Sequence, residues 1–245
     1  GVEPSSGEPR GEPHQLTFGS ARHSRPMFSS DGAQIALDRW QIGASRDIWV
    51  MDADGARLRQ VTTDPARDTQ ASWLPGDAEL AFLSDRGGEP SLWGCRIDGS
   101  GARALATLVG AVDSVRVSPD GRRVAYHAPD ADGSVDVWLI DLASGDHRRV
   151  TDDPEIVGFP CWSPDGRLLA AEQKRDDDDR VVLIDLSRSD SGIVVLTPEH
   201  GRFWPWSFSP DGRRIAMVAL RDGAWNVWWV DRMSGEQRQL TDLKR

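Results

Sequence analysis

The chain has 245 residues and a net charge of −10, set by 39 acidic against 29 basic side chains. A field of that sign repels phosphate backbones, which argues against a nucleic-acid binder. No apolar run approaches the length of a membrane span, and two cysteines, Cys95 and Cys161, cannot make a disulfide framework.

Residues 1–10 are polar, begin at Gly1 without an initiator Met, and are expected to be a disordered segment of a processed or excised piece. Beyond them the sequence repeats. The turn Ser29-Ser30-Asp31-Gly32 returns as Leu74-Pro75-Gly76-Asp77, Ser118-Pro119-Asp120-Gly121, Ser163-Pro164-Asp165-Gly166 and Ser209-Pro210-Asp211-Gly212. The Asp spacings of 46, 43, 45 and 46 residues match the period of four-stranded propeller blades. Pro fixes φ at the first corner and Gly tolerates positive φ at the last, so each copy suits a tight turn. The second copy inverts Asp-Gly to Gly-Asp, and its geometry is expected to differ.

Each turn joins two strands. An aromatic or β-branched residue precedes it (Phe28, Trp73, Val117, Trp162, Phe208), and a large aliphatic followed by Ala comes after it, as in Ile35-Ala36, Leu80-Ala81, Val124-Ala125, Leu169-Ala170 and Ile215-Ala216. The small residue lets neighbouring blades approach closely. A strongly apolar third strand follows, as in Ile48-Trp49-Val50-Met51, Val137-Trp138-Leu139-Ile140 and Val227-Trp228-Trp229-Val230, each closed by Asp. Such continuous runs read as strands buried on both faces. The fourth strand ends in an apolar-Thr pair: Val61-Thr62, Val150-Thr151, Leu196-Thr197 and Leu240-Thr241, with Leu105-Ala106 as the degenerate copy. A sixth example, Gln15-Leu16-Thr17, stands ahead of the first full repeat.

The repeats therefore run over about 18–62, 63–106, 107–151, 152–197 and 198–241, and the fold class is all-β: a propeller of five complete four-stranded antiparallel blades plus a leftover outer strand. Taken together, these motifs resemble the TolB-like repeat, with its Phe-Ser-Pro-Asp-Gly turn, Ile-Trp-Val-x-Asp strand and Leu-Thr strand end. The resemblance covers residues 11–245 as one domain. It implies a six-bladed parent, a non-enzymatic interaction module, and a periplasmic or otherwise extracytoplasmic setting, with a cytoplasmic one left open. The two cysteines fall in different blades and are expected to be free and buried.

Binding residues concentrate in the longer, irregular connections. Those between blades are expected to carry His23, Arg25, Arg67, Phe159, His200, Arg202 and Trp204, and those between second and third strands Arg46, Arg86 and Trp225. Trp and Arg dominate interface hot spots, so these ten are the candidate binding residues for a protein or peptide partner. Trp40, Trp204, Trp206 and Trp225 lie outside the regular aromatic positions of the repeat and otherwise read as caps on blade ends. The run Asp176-Asp177-Asp178-Asp179 reads as a solvated hairpin tip rather than a calcium site, and Asp52-Ala53-Asp54-Gly55 as a turn.

No Gly-x-Ser-x-Gly elbow, His-Glu-x-x-His, phosphate loop or dinucleotide fingerprint occurs. The expectation is a monomeric, non-enzymatic module without cofactor, metal or membrane insertion. The alternatives are the propeller of a prolyl-oligopeptidase-like serine peptidase whose hydrolase domain is absent here, and the ligand-sensing propeller of a signalling protein.

Overall fold

The structure is a computed structural model that describes residues 11, 13–110, 112–129, 133–152, 156–175, 178–188, 192–197 and 201–243, with only the backbone described at 156, 157 and 175. The segment 1–10 expected to be disordered lies outside this set. Every regular element among the described residues is a β-strand.

The first sheet holds β1 (Arg22–Phe28), β2 (Gln34–Trp40), β3 (Arg46–Asp52) and β4 (Arg59–Gln60). The second holds β5 (Asp68–Trp73), β6 (Glu79–Ser84), β7 (Ser91–Arg96) and β8 (Arg103–Thr107). The third holds β9 (Asp113–Val117), β10 (Arg123–Pro129), β11 (Val135–Asp141) and β12 (His147–Arg149). The fourth holds β13 (Ile156–Trp162), β14 (Leu168–Arg175), β15 (Asp178–Asp185) and β16 (Ile193–Val195). The fifth holds β17 (Arg202–Phe208), β18 (Arg214–Arg221), β19 (Ala224–Asp231) and β20 (Gln237–Gln239). Strands follow one another in chain order within each sheet, giving five four-stranded antiparallel blades of a β-propeller. Two compact units divide the chain: one of residues 15–125 and 139–148, the other of residues 1–14, 126–138 and 149–245.

The turn motif acts as a hydrogen-bonded clasp. The hydroxyls of Ser29, Ser118, Ser163 and Ser209 donate to the carboxylates of Asp31, Asp120, Asp165 and Asp211 at 2.5–2.6 Å. The same carboxylates accept the N–H two residues on, at Ala33, Arg122, Arg167 and Arg213. These bonds, led by the serine hydroxyl, hold all four carboxyls below their ordinary range. The inverted copy does differ: both Gly76 (φ +87°) and Asp77 (φ +55°) are left-handed, and Asp77 accepts from the Ser30 N–H at 3.0 Å in the neighbouring blade's turn.

The fourth-strand threonine has an equally local cause. Thr62, Thr151, Thr197 and Thr241 each accept a third-strand N–H, from Ile48, Val137, Val181 and Val227, at 2.8–3.0 Å. The hydroxyl thus takes over from the ladder where a short outer strand ends. In the degenerate blade, Ala106 lacks the hydroxyl and pairs by its backbone with Leu92, so β8 runs for five residues.

In the unit of residues 15–125, Ala36, Ile48, Val50 and Val61 of the first blade pack on Ala71, Trp73, Leu80, Phe82 and Cys95 of the second. In the other unit, Cys161, Ala170, Val181 and Leu196 of the fourth blade meet Phe203, Ile215, Met217 and Val230 of the fifth. Both cysteines are free and buried, and desolvation pushes the Cys95 thiol up to about 11.

The leftover segment Gln15-Leu16-Thr17 joins no sheet, because a fourth strand needs a third to pair with. Its position is nonetheless that of an outer-strand end. The Gln15 side chain donates to the Thr17 carbonyl at 2.7 Å, as Gln60 does to Thr62 at 2.8 Å. The Leu16 carbonyl stands 3.0 Å from where a Cβ would sit on Gly55, and the Val61 carbonyl stands 2.5 Å from the equivalent point on Gly99. Both glycines are left-handed, at φ +87° and +85°. Leu16 thus caps the first blade, against Ile35, Leu37 and Met51, in the place where Val61 caps the second.

Candidate functional site

The innermost strands β1, β5, β13 and β17 each carry a register-shifting irregularity against the second strand of their blade. At it, Arg25, Gln70 and Phe159 adopt φ of +51°, +61° and +51°, and Ser114 in β9 adopts +56°. A bulge of this kind breaks the ladder and turns an N–H out of it. That N–H then needs another acceptor, since a buried unpaired donor is costly.

Two blades supply the acceptor from the second strand of the preceding blade. Asp38 in β2 accepts the Gln70 N–H at 2.8 Å. His127 in β10 accepts the Phe159 N–H through Nδ1 at 3.1 Å, with its ring edge-on to the Phe159 ring at 5.1 Å. The corresponding second-strand position is Leu83 in β6, where the Ser114 N–H turns to Asp113 at 2.9 Å instead. It is Glu172 in β14.

Glu172 meets an exception. The position corresponding to Gln70 and Phe159 in the next blade is Pro205, beside the register shift of β17; its ring forbids positive φ and it has no N–H. The carboxyl of Glu172, buried with 7% of the residue exposed, accepts the indole N–H of Trp204 at 2.8 Å instead. Burial, reinforced by the nearby Asp179 carboxylate, pushes Glu172 up to about 7. Asp179, 5% exposed, is also raised, by burial first, against Lys174 and Arg202 which lower it. The carboxylate of Asp179 has no hydrogen-bond or ion-pair partner among the described residues. Trp204 stacks on Trp225 with ring centroids 4.5 Å apart and planes 19° from parallel. Both indoles remain open to solvent, at 37% and 36%.

The other unit has a different polar centre. Arg25 bridges Asp38 at 3.3 Å and Asp113 at 3.4 Å. Gln70 donates to Asp113 through its side-chain amide and accepts the Val115 N–H at 3.1 Å. Arg25, Gln70 and Asp113, with Arg67 and Asp85, line a cavity of about 270 Å³. Arg46 also acts on Asp38 and Asp113, so three guanidiniums offset the three carboxylates here, and no exposed aromatic stands among them. Burial raises Asp38, and the Gln70 N–H and Arg25 oppose that rise.

The TolB beta propeller domain matches residues 15–131 and 110–243. The chain belongs to that family. A TolB homolog of Chlorobium chlorochromatii is 31% identical over 84% of the chain and 47% of its own length. The uncharacterized peptidase YuxL of Bacillus subtilis is 26% identical over 79% of the chain and 29% of its own length. The chain thus spans about half or less of the length of these two relatives. Among solved structures, TolB from Acinetobacter baumannii superposes with a TM-score of 0.75 at 20% identity, over 86% of this chain and 53% of that one.

Within this TolB-type propeller the expected binding residues separate. Arg25, Phe159, Arg202 and Trp204 lie in innermost strands rather than in connections between blades, as does His23. The bulge is the reason: it interrupts the apolar pattern, yet the strand continues on its far side. His23 faces Arg39 in register, and its imidazole is pushed down by burial and then by that guanidinium. Its Nε2 is buried without a partner among the described residues. Phe159 is a bulge residue held by His127. Arg46 opens β3 with its guanidinium 4.0 Å above Trp40. Arg86 turns inward, 2.7 Å from Asp68 and 4.8 Å above Trp93. Arg67 lines the cavity and gives its backbone N–H to Asp85 at 2.8 Å. Arg202 opens β17, Trp225 lies in β19 next to Trp204, and His200 lies outside the described residues.

Glu172, Asp179, Asp38 and His127 are the functional positions that reading the sequence missed. A signal for three of them was available. The residue two places after the shared Ala of the second strand reads Asp38, Leu83, His127, Glu172 and Val218 down the five repeats, polar in three of them at an otherwise buried place.

Proposed function

We propose that this TolB-type propeller is a non-enzymatic interaction module that binds a protein or peptide at the Trp204–Trp225 pair. The carrying observation is that pair itself: two stacked indoles, each about one-third exposed, with the N–H of Trp204 held by the Glu172 carboxyl. Trp supplies large, stiff contact area at small entropic cost, which is why it anchors interfaces. Arg202, exposed at the start of the same strand, adds a polar contact at the rim. The TolB relatives support a protein partner as the starting expectation, and fold alone does not transfer its identity.

The test is capture of partners from a lysate with the wild type and with a Trp204→Ala/Arg202→Ala double variant. The reading expects a protein recovered by the wild type and reduced at least about tenfold with the variant. Equal recovery with both would move the binding surface elsewhere. The peptidase relative supports a second reading, in which the propeller accompanies a hydrolase domain. Release of a peptidyl chromogenic substrate by this chain alone would overturn the non-enzymatic reading.

A further inference from the structure

We infer that the Trp204–Trp225 pair, with Glu172 and Asp179, forms a receptor for a cationic side chain, a Lys or Arg carried by the partner peptide. This deepens the proposed function and rests on it. Three features support it, each with a separate origin.

The first is the replacement of a bulge N–H by Pro205. At Asp38 and His127 the second-strand acceptor is occupied by a backbone N–H of the next blade. Glu172 holds the same place, and its only donor among the described residues is the Trp204 indole. A carboxylate can accept about four hydrogen bonds. Acceptor capacity is therefore left over at a buried position.

The second is Asp179. It is 95% buried by residue area, and its carboxylate lacks a hydrogen bond or ion pair among the described residues. It lies close enough to Glu172 to raise that group's proton affinity. A buried carboxyl whose proton affinity is raised by a second carboxylate is relieved by a proton or by a cation. Lys174 and Arg202 face Asp179, Lys174 also faces Glu172, and Asp178 adds negative charge. Neither Lys174 nor Arg202 forms an ion pair with the two carboxyls among the described residues, so the site stays open to an incoming cation.

The third is the aromatic pair. Stacked indoles present a π-face, and Trp is the best aromatic partner for an ammonium or guanidinium. The net charge of −10 favours a cationic partner over an acidic one from the first encounter.

The test is a solution NMR titration that follows the indole N–H signals of Trp204 and Trp225. The probes are the capped tripeptide Gly-Lys-Gly, the same peptide with its lysine Nε acetylated, and capped Gly-Glu-Gly. The lysine peptide is expected to shift both indoles and to bind at least about fivefold more tightly than the acetylated one. Glu172→Gln keeps an oxygen for the Trp204 indole while removing the charge, and Asp179→Asn does the same for the second carboxyl. Each is expected to weaken the lysine peptide by about threefold or more. Whichever variant keeps the wild-type spectrum away from the site carries the comparison.

Equal binding of the acetylated peptide, or wild-type binding by a well-folded Glu172→Gln or Asp179→Asn variant, would overturn the cation receptor and leave the platform reading standing. No indole shift with the lysine peptide overturns it as well. The platform reading is then decided separately, by the capture experiment.

Discussion

Asp38 and Glu172 occupy the same place in their blades and have opposite surroundings. Asp38 takes the N–H of Gln70 at 2.8 Å and faces Arg25 at 3.3 Å. Among the described residues Glu172 takes only an indole N–H, because residue 205 is Pro, and its charged neighbour across the hairpin is another carboxylate. Both carboxyls are raised by burial, but Asp38 sits in a closed network and Glu172 beneath exposed aromatics. One repeat position therefore serves as a structural latch in one blade and as a site in another. A single imino acid, Pro205, accounts for the missing backbone donor.

The largest expected effect comes from emptying the filled latch. Asp38→Ala leaves the Gln70 N–H and the Arg25 guanidinium without their buried acceptor, a loss of about 3 kcal/mol read by urea denaturation. Glu172→Ala removes one indole acceptor and is expected to cost clearly less. Equal losses would erase the distinction between the two carboxyls.

Stability against pH comes next. Glu172 binds its proton more tightly when folded, so its stabilising contribution is complete below about 4.5 and disappears as pH rises through about 7. That shift corresponds to about 3 kcal/mol as an upper bound. The wild type is thus expected to lose stability between pH 5 and pH 8, roughly, with Glu172→Gln largely flattening the decline. Buried Asp38, Asp47 and Asp179 are raised too and contribute in the same direction. The turn carboxyls act at the other end. Asp31, Asp120, Asp165 and Asp211 are lowered, and Asp231 is held at about 2 by the N–H groups of Ser234 and Met233 and by Arg213, against the opposing pull of burial. Their contribution is present above the unfolded value and is lost as pH falls through the folded one.

A smaller effect is expected at the second filled latch. A Cβ on Gly158 would stand 2.8 Å from His127 Nδ1, the atom that accepts the Phe159 N–H. Gly158→Ala must push the imidazole aside, at about 1–2 kcal/mol by thermal unfolding. An unchanged midpoint would show that the latch carries no strain. The smallest effect sharpens the comparison most. Pro205→Ala restores an N–H, and stability is expected to change by less than about 1 kcal/mol while the Glu172 proton affinity falls. An unaltered Glu172 titration would mean that the missing donor is not what sets this carboxyl apart.

The architecture was legible because each repeat motif has a local cause. The Ser-Asp clasp, the Thr hydroxyl on the third-strand N–H and the glycines beneath a neighbour's carbonyl act over a few residues and can be read in order. Even the isolated Gln15-Leu16-Thr17 holds the geometry of a strand end without its sheet. The site was less legible. Trp204 and Trp225 stood out as aromatics at irregular positions, and they do stack. Arg86 is a candidate by residue type alone, yet it faces Asp68 and Trp93, since an Arg near a hairpin serves inner and outer contacts equally well. Glu172 was missed because its character comes from an absent donor in another blade. Such a relation links residue 172 to residue 205, and no local pattern displays it.

The most direct test of the account is the pH dependence of the Trp204 indole N–H signal, followed by NMR in the wild type and in Glu172→Gln. An inflection near pH 7 in the wild type that vanishes in the variant is the expected result. A wild-type signal that is flat through neutrality, or an inflection that persists in Glu172→Gln, would contradict the assignment of Glu172 as the titrating group beneath the Trp platform.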